Sequence, residues 1–142
     1  MNYGQHKLVL LLLILSLSFI GCKSAKSNPD TGKADARAVA LNVLSQFEAG
    51  KFSQIYKESA PIFKQAGKES NFVAQFQQSL KKTGVFKNQK ESSVEARPDK
   101  TYVFTYHLEN EHFNTDMHLT VTRSTSGKME LAGIYEHDDP KK

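Results

Sequence analysis

The spacing of apolar residues changes at Gly84, and this change divides most of the chain into a helical half and a strand half. Between residues 34 and 84, apolar side chains recur every three or four positions, which is the spacing of one helix face. After Gly84 they alternate with polar side chains, which is the spacing of a strand with one buried face. Helices followed by adjacent strands predict an α+β fold, with the helices covering the apolar face of an antiparallel sheet.

Glycine and proline residues divide the helical half into three predicted helices. The first begins at residue 34 and ends at Gly50, because a glycine just past the last turn commonly ends a helix. The second begins at Phe52 and is broken by Pro61, after which a short turn continues toward Gly67.

The third predicted helix begins after Ser70, the expected N-cap, and ends at Gly84. Each helix carries one apolar stripe that needs a surface to cover it. The stripe residues are Ala36, Ala40, Val43, Leu44 and Phe47, then Phe52, Ile55, Tyr56 and Ser59, then Phe72, Val73, Phe76 and Leu80.

Four strands follow, and turn residues at Pro98 and Asp99 separate the first from the second. The first, over residues 85–96, alternates only weakly. The other three place these residues on one face: Tyr102, Phe104, Tyr106 and Leu108; Phe113, Thr115, Met117, Leu119 and Val121; Met129, Leu131, Gly133 and Tyr135. They predict an antiparallel meander with one apolar face.

Loop lengths predict the pairing of the strands. A two-residue loop at Asn110 and Glu111 places Tyr106 opposite Thr115 and keeps the apolar residues on one face.

The last loop is predicted to span residues 125–127, with Gly127 in the left-handed position of a bulge. This loop pairs Val121 with Leu131. A two-residue loop would instead bury Glu136, so we reject it.

The beginning of the chain reads as an export signal over residues 1–21. A short polar stretch with Lys7 precedes an apolar run of about 13 residues. A membrane-spanning helix is the alternative, but spanning needs roughly 20 apolar residues. The run ends at Gly21 and Cys22.

The four residues Phe19, Ile20, Gly21 and Cys22 resemble the bacterial lipobox, although Phe19 stands where Leu is usual. The resemblance implies cleavage after Gly21, lipid attachment to the Cys22 thiol and further acylation, for example by palmitate. Lys23 follows the cysteine where Asp would imply inner-membrane retention, so it favours the outer membrane, facing the periplasm, in a Gram-negative envelope.

The cysteine content agrees with this interpretation, because Cys22 is the only cysteine and cannot form an intramolecular disulfide. An incidental cysteine after an ordinary signal is the alternative. Residues 22–33 are polar and predict a flexible tether, residues 34–137 a single domain, and residues 138–142 a polar tail. The net charge of +4 is not gathered into a basic stripe, so no nucleic-acid partner is expected.

Leucine, glycine and aromatic landmarks lie between residues 34 and 136. They are Leu41, Leu44, Gly50, Lys51, Phe52, Tyr56, Phe72, Leu80, Gly84 and residues 129–135. This set resembles a family of small exported bacterial proteins of unknown function and, more broadly, the cystatin-like cone of the nuclear-transport-factor-like superfamily. The family tends to have Trp at the positions of Tyr56, Phe72 and Met129. The resemblance implies helices on a curved four-stranded antiparallel sheet, and it carries no catalytic residue.

Polar residues offer little chemistry. His107, Asn114, Asp116 and His118 are predicted on the outer face of the sheet, where Asp116 and His118 could share a cation. No second pair of ligands has metal-site spacing, so decoration of a solvated face is the preferred interpretation. We expect no metal, no cofactor and no catalytic residues, because no nucleophile elbow, phosphate loop or zinc motif is present.

Five aromatic residues are candidates to line a pocket between sheet and helices: Tyr56, Tyr102, Phe104, Tyr106 and Tyr135. A plain core is the alternative. The predicted inner face carries no carboxylate or imidazole, which argues against acid–base catalysis. We therefore expect a non-enzymatic envelope protein, anchored to the membrane by lipid, whose domain binds a protein partner or a small apolar ligand. An enzyme that uses the cone pocket and an anchored inhibitor or immunity-type protein remain open.

Overall fold

The computed structural model describes residues 29–141, so the predicted signal, its cleavage after Gly21 and the lipidated Cys22 lie outside the described residues. Helices precede an open four-stranded antiparallel sheet in the order β1-β2-β3-β4, which confirms the α+β fold. No helix within residues 29–141 is long and apolar enough to cross a membrane. The elements are α1 (Pro29–Glu48), α2 (Phe52–Glu58), α3 (Pro61–Gln65), α4 (Glu69–Thr83), β1 (Phe86–Ala96), β2 (Tyr102–Asn110), β3 (Phe113–Arg123) and β4 (Met129–Pro140).

Helix α1 begins at Pro29, five residues before the predicted start, so its first turn covers part of the stretch that was expected to be a tether. Proline is tolerated in a first helical turn, where its missing N–H has no helical partner. Gly32 is buried in this turn, and a Cβ added there would lie 2.9 Å from the Tyr102 hydroxyl oxygen. Close packing against the sheet therefore extends the helix, and apolar spacing could not reveal it.

Two glycines end helices as predicted. Gly50 follows α1 with a φ of 68°, and Gly84 follows α4 with a φ of 79°. Both angles lie in the left-handed region that glycine adopts without strain.

The N-cap expected for the third predicted helix, which is α4 in the structure, was wrong. Helix α4 begins at Glu69, after Lys68, and Ser70 lies inside its first turn. The Ser53 hydroxyl of α2 donates a hydrogen bond to the Glu69 carboxylate, and Lys57 Nζ lies 3.8 Å from it. These contacts hold the start of α4 against α2, and an acidic residue is favourable in a first turn.

The apolar stripes meet in one core between the helices and the inner face of the sheet. The predicted α1 residues Ala36, Ala40, Val43, Leu44 and Phe47 are all buried. On β2 the buried residues alternate as predicted: Tyr102, Phe104, Tyr106 and Leu108.

The predicted pairing of β2 with β3 was wrong by two positions. Tyr106 lies opposite Met117 rather than Thr115, and the turn consists of Glu111 and His112. Asn110 remains in the strand because its buried Nδ2 donates a 2.7 Å hydrogen bond to Thr115 Oγ1. A shift of two residues leaves every side chain on its predicted face.

The last hairpin begins as predicted, with Val121 opposite Leu131 and Gly127 at a φ of 86°. The register then shifts, so that Thr120 pairs with Gly133 and Ala132 is the extra residue of a β-bulge.

This bulge reverses the faces of the following part of β4. Ile134, rather than Gly133, lies opposite Leu119. Glu136 lies opposite Met117 on the inner face, although it was predicted to face solvent. Tyr135 lies opposite His118 on the outer face, although it was predicted to face the core.

Candidate functional site: an aromatic cleft beside strand β4

A cleft of about 300 Å³ lies between helices α2, α3 and α4 on one side and strand β4 on the other. Its position follows from the fold, because α3 and α4 leave β4 uncovered where the bulge occurs. The described residues that line it are Tyr56, Phe63, Ala66, Gly67, Lys68, Asn71, Phe72, Gln75, Phe76, Ala132, Gly133 and Ile134.

Four aromatic rings from three helices form the helical wall of the cleft. Phe72 is central: its ring centroid lies 5.3 Å from that of Phe63, 4.7 Å from that of Phe76 and 5.9 Å from that of Tyr56. The Phe63 and Phe72 rings meet edge to face, an arrangement that adds to the stabilisation from burial. The wall is therefore held by contacts within the protein before any ligand enters.

The Tyr56 hydroxyl fixes the loop between α3 and α4. It donates a 2.8 Å hydrogen bond to the Gly67 carbonyl and a longer one, 3.4 Å, to the Lys64 carbonyl. The hydroxyl is thus engaged with the backbone at the rim, and its ring contributes apolar surface to the cleft.

The opposite wall is the bulge of β4, where Ala132 and Gly133 present little side chain and Ile134 supplies an apolar one. A Cβ added at Gly133 would lie 3.4 Å from Thr120 Cβ, which is a tight contact. Small residues on this wall and large rings on the other leave the space between them open.

The polar lining is sparse. Lys68, Asn71 and Gln75 are exposed, and Lys68 is the only charged side chain among the described lining residues. The described lining contains no carboxylate and no imidazole, so its charged and amide side chains are those of Lys68, Asn71 and Gln75.

The structure brings one of the five predicted pocket residues to this cleft, namely Tyr56. Tyr102, Phe104 and Tyr106 are buried in the core instead. Tyr135 is 62% exposed on the outer face, with its ring centroid 5.8 Å from that of His118, because the bulge reversed its side.

Sequence reasoning missed every cleft residue other than Tyr56, including the three other aromatic residues: Phe63, Phe72 and Phe76. Their signal was present, since Phe72 and Phe76 belong to a predicted apolar stripe. The stripe predicted burial and did not show that part of it stays open.

The inner face holds carboxylates, contrary to the prediction. Glu91 of β1 accepts hydrogen bonds from Arg37 Nε at 2.8 Å and Arg37 Nη2 at 2.9 Å. It also accepts one from the Tyr106 hydroxyl at 3.3 Å. The hydrogen bond from Arg37 lowers the pKa of Glu91, and burial raises the pKa of Tyr106 to about 12. The group binds α1 to the sheet and does not line the aromatic cleft.

Glu136 is another carboxylate on the inner face, and Asp138, which lies opposite Thr115, is a third. Glu136 Oε2 accepts a 2.7 Å hydrogen bond from the Ser79 hydroxyl of α4. Burial raises the pKa of Glu136 above the usual carboxyl value. Glu136 is not among the residues that line the cleft.

The histidines lie on the outer face as predicted, but their partners differ. Asp116 Oδ1 lies 2.9 Å from His107 Nδ1, and His118 Nδ1 lies 3.0 Å from Thr105 Oγ1. Asp116 and His118 therefore do not act as a pair. Within residues 29–141, no three His, Cys, Asp or Glu side chains are grouped to hold a metal ion.

No protein-family model matches the chain, and no curated protein has a sequence similar enough to count as a relative.

Proposed function

We propose that this chain is a lipid-anchored protein of the bacterial cell envelope, and that its domain binds a small apolar ligand in the cleft without catalysing a reaction. The observation that carries the proposal is the wall of aromatic rings in a cleft whose described lining residues include no carboxylate and no imidazole. The anchor would be the acylated Cys22, with the outer membrane, facing the periplasm, as the location in a Gram-negative cell.

The size and composition of the cleft support binding. Ligand sites are concave, mostly apolar and largely preformed, with volumes from about 300 Å³ upward. This cleft reaches the lower end of that range. Its rings are held by one another and its loop by the Tyr56 hydroxyl, so little ordering would accompany binding.

The anchor would keep the domain close to the membrane. Residues 23–28 separate Cys22 from the first residue of α1. A fully extended chain advances at most about 3.6 Å per residue, so the reach from Cys22 to Pro29 is at most roughly 25 Å. Two or three acyl chains hold such a domain stably, since each buried methylene contributes about 0.8 kcal/mol.

The anchor is tested with Cys22→Ala. We expect the variant to lose palmitate labelling and to leave the membrane fraction, while a Ser24→Ala control keeps both. A Cys22→Ala protein that still fractionates with membranes would show that the anchor proposal is wrong.

The cleft is tested by filling it. Ala66 is exposed at the cleft, and Ala66→Trp should occupy the space without removing a core contact. Ala38→Trp, on the exposed face of α1, is the matched control. Native mass spectrometry of protein taken from its own envelope should find a bound small molecule in the wild type and control and none in Ala66→Trp. If all three proteins carry no ligand, binding in the cleft is excluded as the function.

A further inference from the structure

The cleft combines an apolar body with a single charge at its edge, and this combination specifies a ligand class. We propose that it binds a small amphipathic monocarboxylate: an alkyl or aromatic body seated against the rings, with its carboxylate at Lys68. This inference rests on the proposed binding function and names the chemistry of the ligand.

The volume sets the size of the buried body. A water molecule occupies about 30 Å³ in the liquid, so 300 Å³ corresponds to about ten non-hydrogen atoms. An eight-carbon acid or a phenyl-substituted propionate has this size.

The charge sets the head group. Among residues 31–141, no carboxylate lies within ion-pair distance of Lys68. The neighbouring acid, Glu69, is engaged by the Ser53 hydroxyl and Lys57. Lys68 is therefore left to pair with an incoming anion.

The remaining polar groups fit a carboxylate as well. Asn71 and Gln75 are exposed at the cleft, and each carries an amide NH₂ group that can donate to a carboxylate oxygen. The Tyr56 hydroxyl already donates to the Gly67 carbonyl, so it does not compete as a donor for the head group. An ammonium head group would instead face Lys68, and like charges repel.

The test compares three ligands with the same eight-carbon chain and different heads: octanoate, octan-1-ol and octylammonium. Binding to the full chain carrying Cys22→Ala is measured by calorimetry at low salt, below the concentrations at which the ligands form micelles. An exposed ion pair changes affinity by up to about fivefold. We therefore expect octanoate to bind several-fold more tightly than octanol, and octylammonium to bind most weakly.

A charge reversal tests whether Lys68 is responsible. Lys68→Glu should invert the order of octanoate and octylammonium, because it replaces attraction by repulsion. Lys90→Glu is the matched control: Lys90 is exposed on β1, at the opposite edge of the sheet, and its reversal should leave the order unchanged. The preference for octanoate should also shrink at high salt, since exposed charges are screened.

Backbone NMR shifts distinguish failure of the monocarboxylate assignment from failure of the proposed binding function. If Phe72 and Ile134 shift with all three ligands but the affinities are equal, the cleft binds apolar chains and the monocarboxylate assignment is wrong. If none of the ligands shifts these residues, both this assignment and the proposed binding function are wrong. If Lys90→Glu inverts the order as Lys68→Glu does, overall charge rather than Lys68 selects the ligand.

Discussion

At the residue scale, Glu91 shows how one side chain can join a helix to a strand distant in sequence. Arg37 donates two hydrogen bonds to its carboxylate, and the guanidinium carbon lies 5.8 Å from the centroid of the Phe104 ring. The two charged side chains are 37% and 28% exposed, so solvent weakens their attraction. Because polar and apolar residues alternate only weakly in the first strand, the sequence did not predict which face of the sheet Glu91 lies on. The pairing of β1 is also irregular between Glu91 and Ser93.

Replacing this carboxylate should destabilise the fold at neutral pH and have little effect in acid. The hydrogen bond from Arg37 lowers the pKa of Glu91, so its contribution is present above the usual carboxyl pKa and is lost as the pH falls through the lowered value. We expect Glu91→Gln to reduce the free energy of unfolding by about 1 kcal/mol at pH 7.

Urea unfolding at several pH values checks this prediction. Glu95→Gln is the control, because Glu95 of β1 pairs with Arg97, which follows the strand, and is well exposed. If the two variants have the same free energy of unfolding at pH 7, the contacts of Glu91 with Arg37 and Tyr106 do not stabilise the fold.

Glu136 should show the opposite pH dependence. Burial raises its pKa, so the native state binds the proton more tightly than the unfolded chain, and stability falls as the pH rises through the raised value. Glu136→Gln keeps an oxygen that can accept from Ser79 and carries no charge. We expect it to stabilise the protein at pH 7, on the order of 1 kcal/mol, the scale of one buried polar interaction.

The measurement is again the free energy of unfolding against pH. The gain from Glu136→Gln should disappear below pH 4.5, the ordinary value for this carboxyl, where both forms are neutral. A variant that is less stable than the wild type at pH 7 would contradict the inward, desolvated position of the side chain.

At the element scale, the junction of α4 and β1 depends on Gly84. Its φ of 79° disfavours any side chain, and an added Cβ would lie 2.6 Å from Glu111 Cβ. We expect Gly84→Ala to lower the free energy of unfolding by about 2 kcal/mol, from backbone strain and this clash. Gly67→Ala is the control, since no atom lies within 4 Å of a Cβ there.

Thermal unfolding distinguishes the two substitutions. The control should change stability by less than about 0.5 kcal/mol, as surface substitutions usually do. Equal losses in both variants would contradict a specific cost from the geometry at the junction, because the loss of glycine flexibility in the unfolded chain favours folding in both.

The elements themselves were predictable because burial imposes a period on the sequence. The pairing of strands was not, because a shift of two residues between β2 and β3 keeps the same faces buried. The bulge at Ala132 was hidden for a different reason: it adds one residue, and only the small pair Ala132 and Gly133 hints at it. The predicted inner faces of β2 and β3 are therefore correct, and the face of β4 is reversed after the bulge.

At the scale of the whole molecule, the cleft is produced by elements that periodicity treats separately. The Phe72 stripe of α4 and the bulge of β4 lie some sixty residues apart in the chain, and each was read only as part of a core. Whether an apolar stripe is covered depends on where short α3 ends and where β4 changes face. The spacing of apolar residues predicts neither the end of α3 nor the change of face in β4. The fold class could therefore be predicted from the sequence, whereas the candidate site could not.

One aromatic ring in the core, that of Phe47, contacts both the helices and the sheet. The Phe47 ring of α1 has its centroid 5.1 Å from that of Phe52, 5.3 Å from that of Phe76 and 5.6 Å from that of Phe86, so it joins α1 to α2, α4 and β1. Phe47→Ala should lower the free energy of unfolding by about 3–5 kcal/mol. Leu41→Ala, at a side chain that is 45% exposed, should cost far less.

Far-ultraviolet circular dichroism follows the helices, and near-ultraviolet tyrosine signals report mainly on the sheet, where Tyr102, Tyr106 and Tyr135 lie. Because one continuous core joins the helices to the sheet, the two signals should disappear at the same temperature in the wild type and, at a lower shared temperature, in Phe47→Ala. If the helical signal is lost first in the variant, the sheet is stable without the helices. The cleft, which needs both layers, would then open by partial unfolding before the domain unfolds.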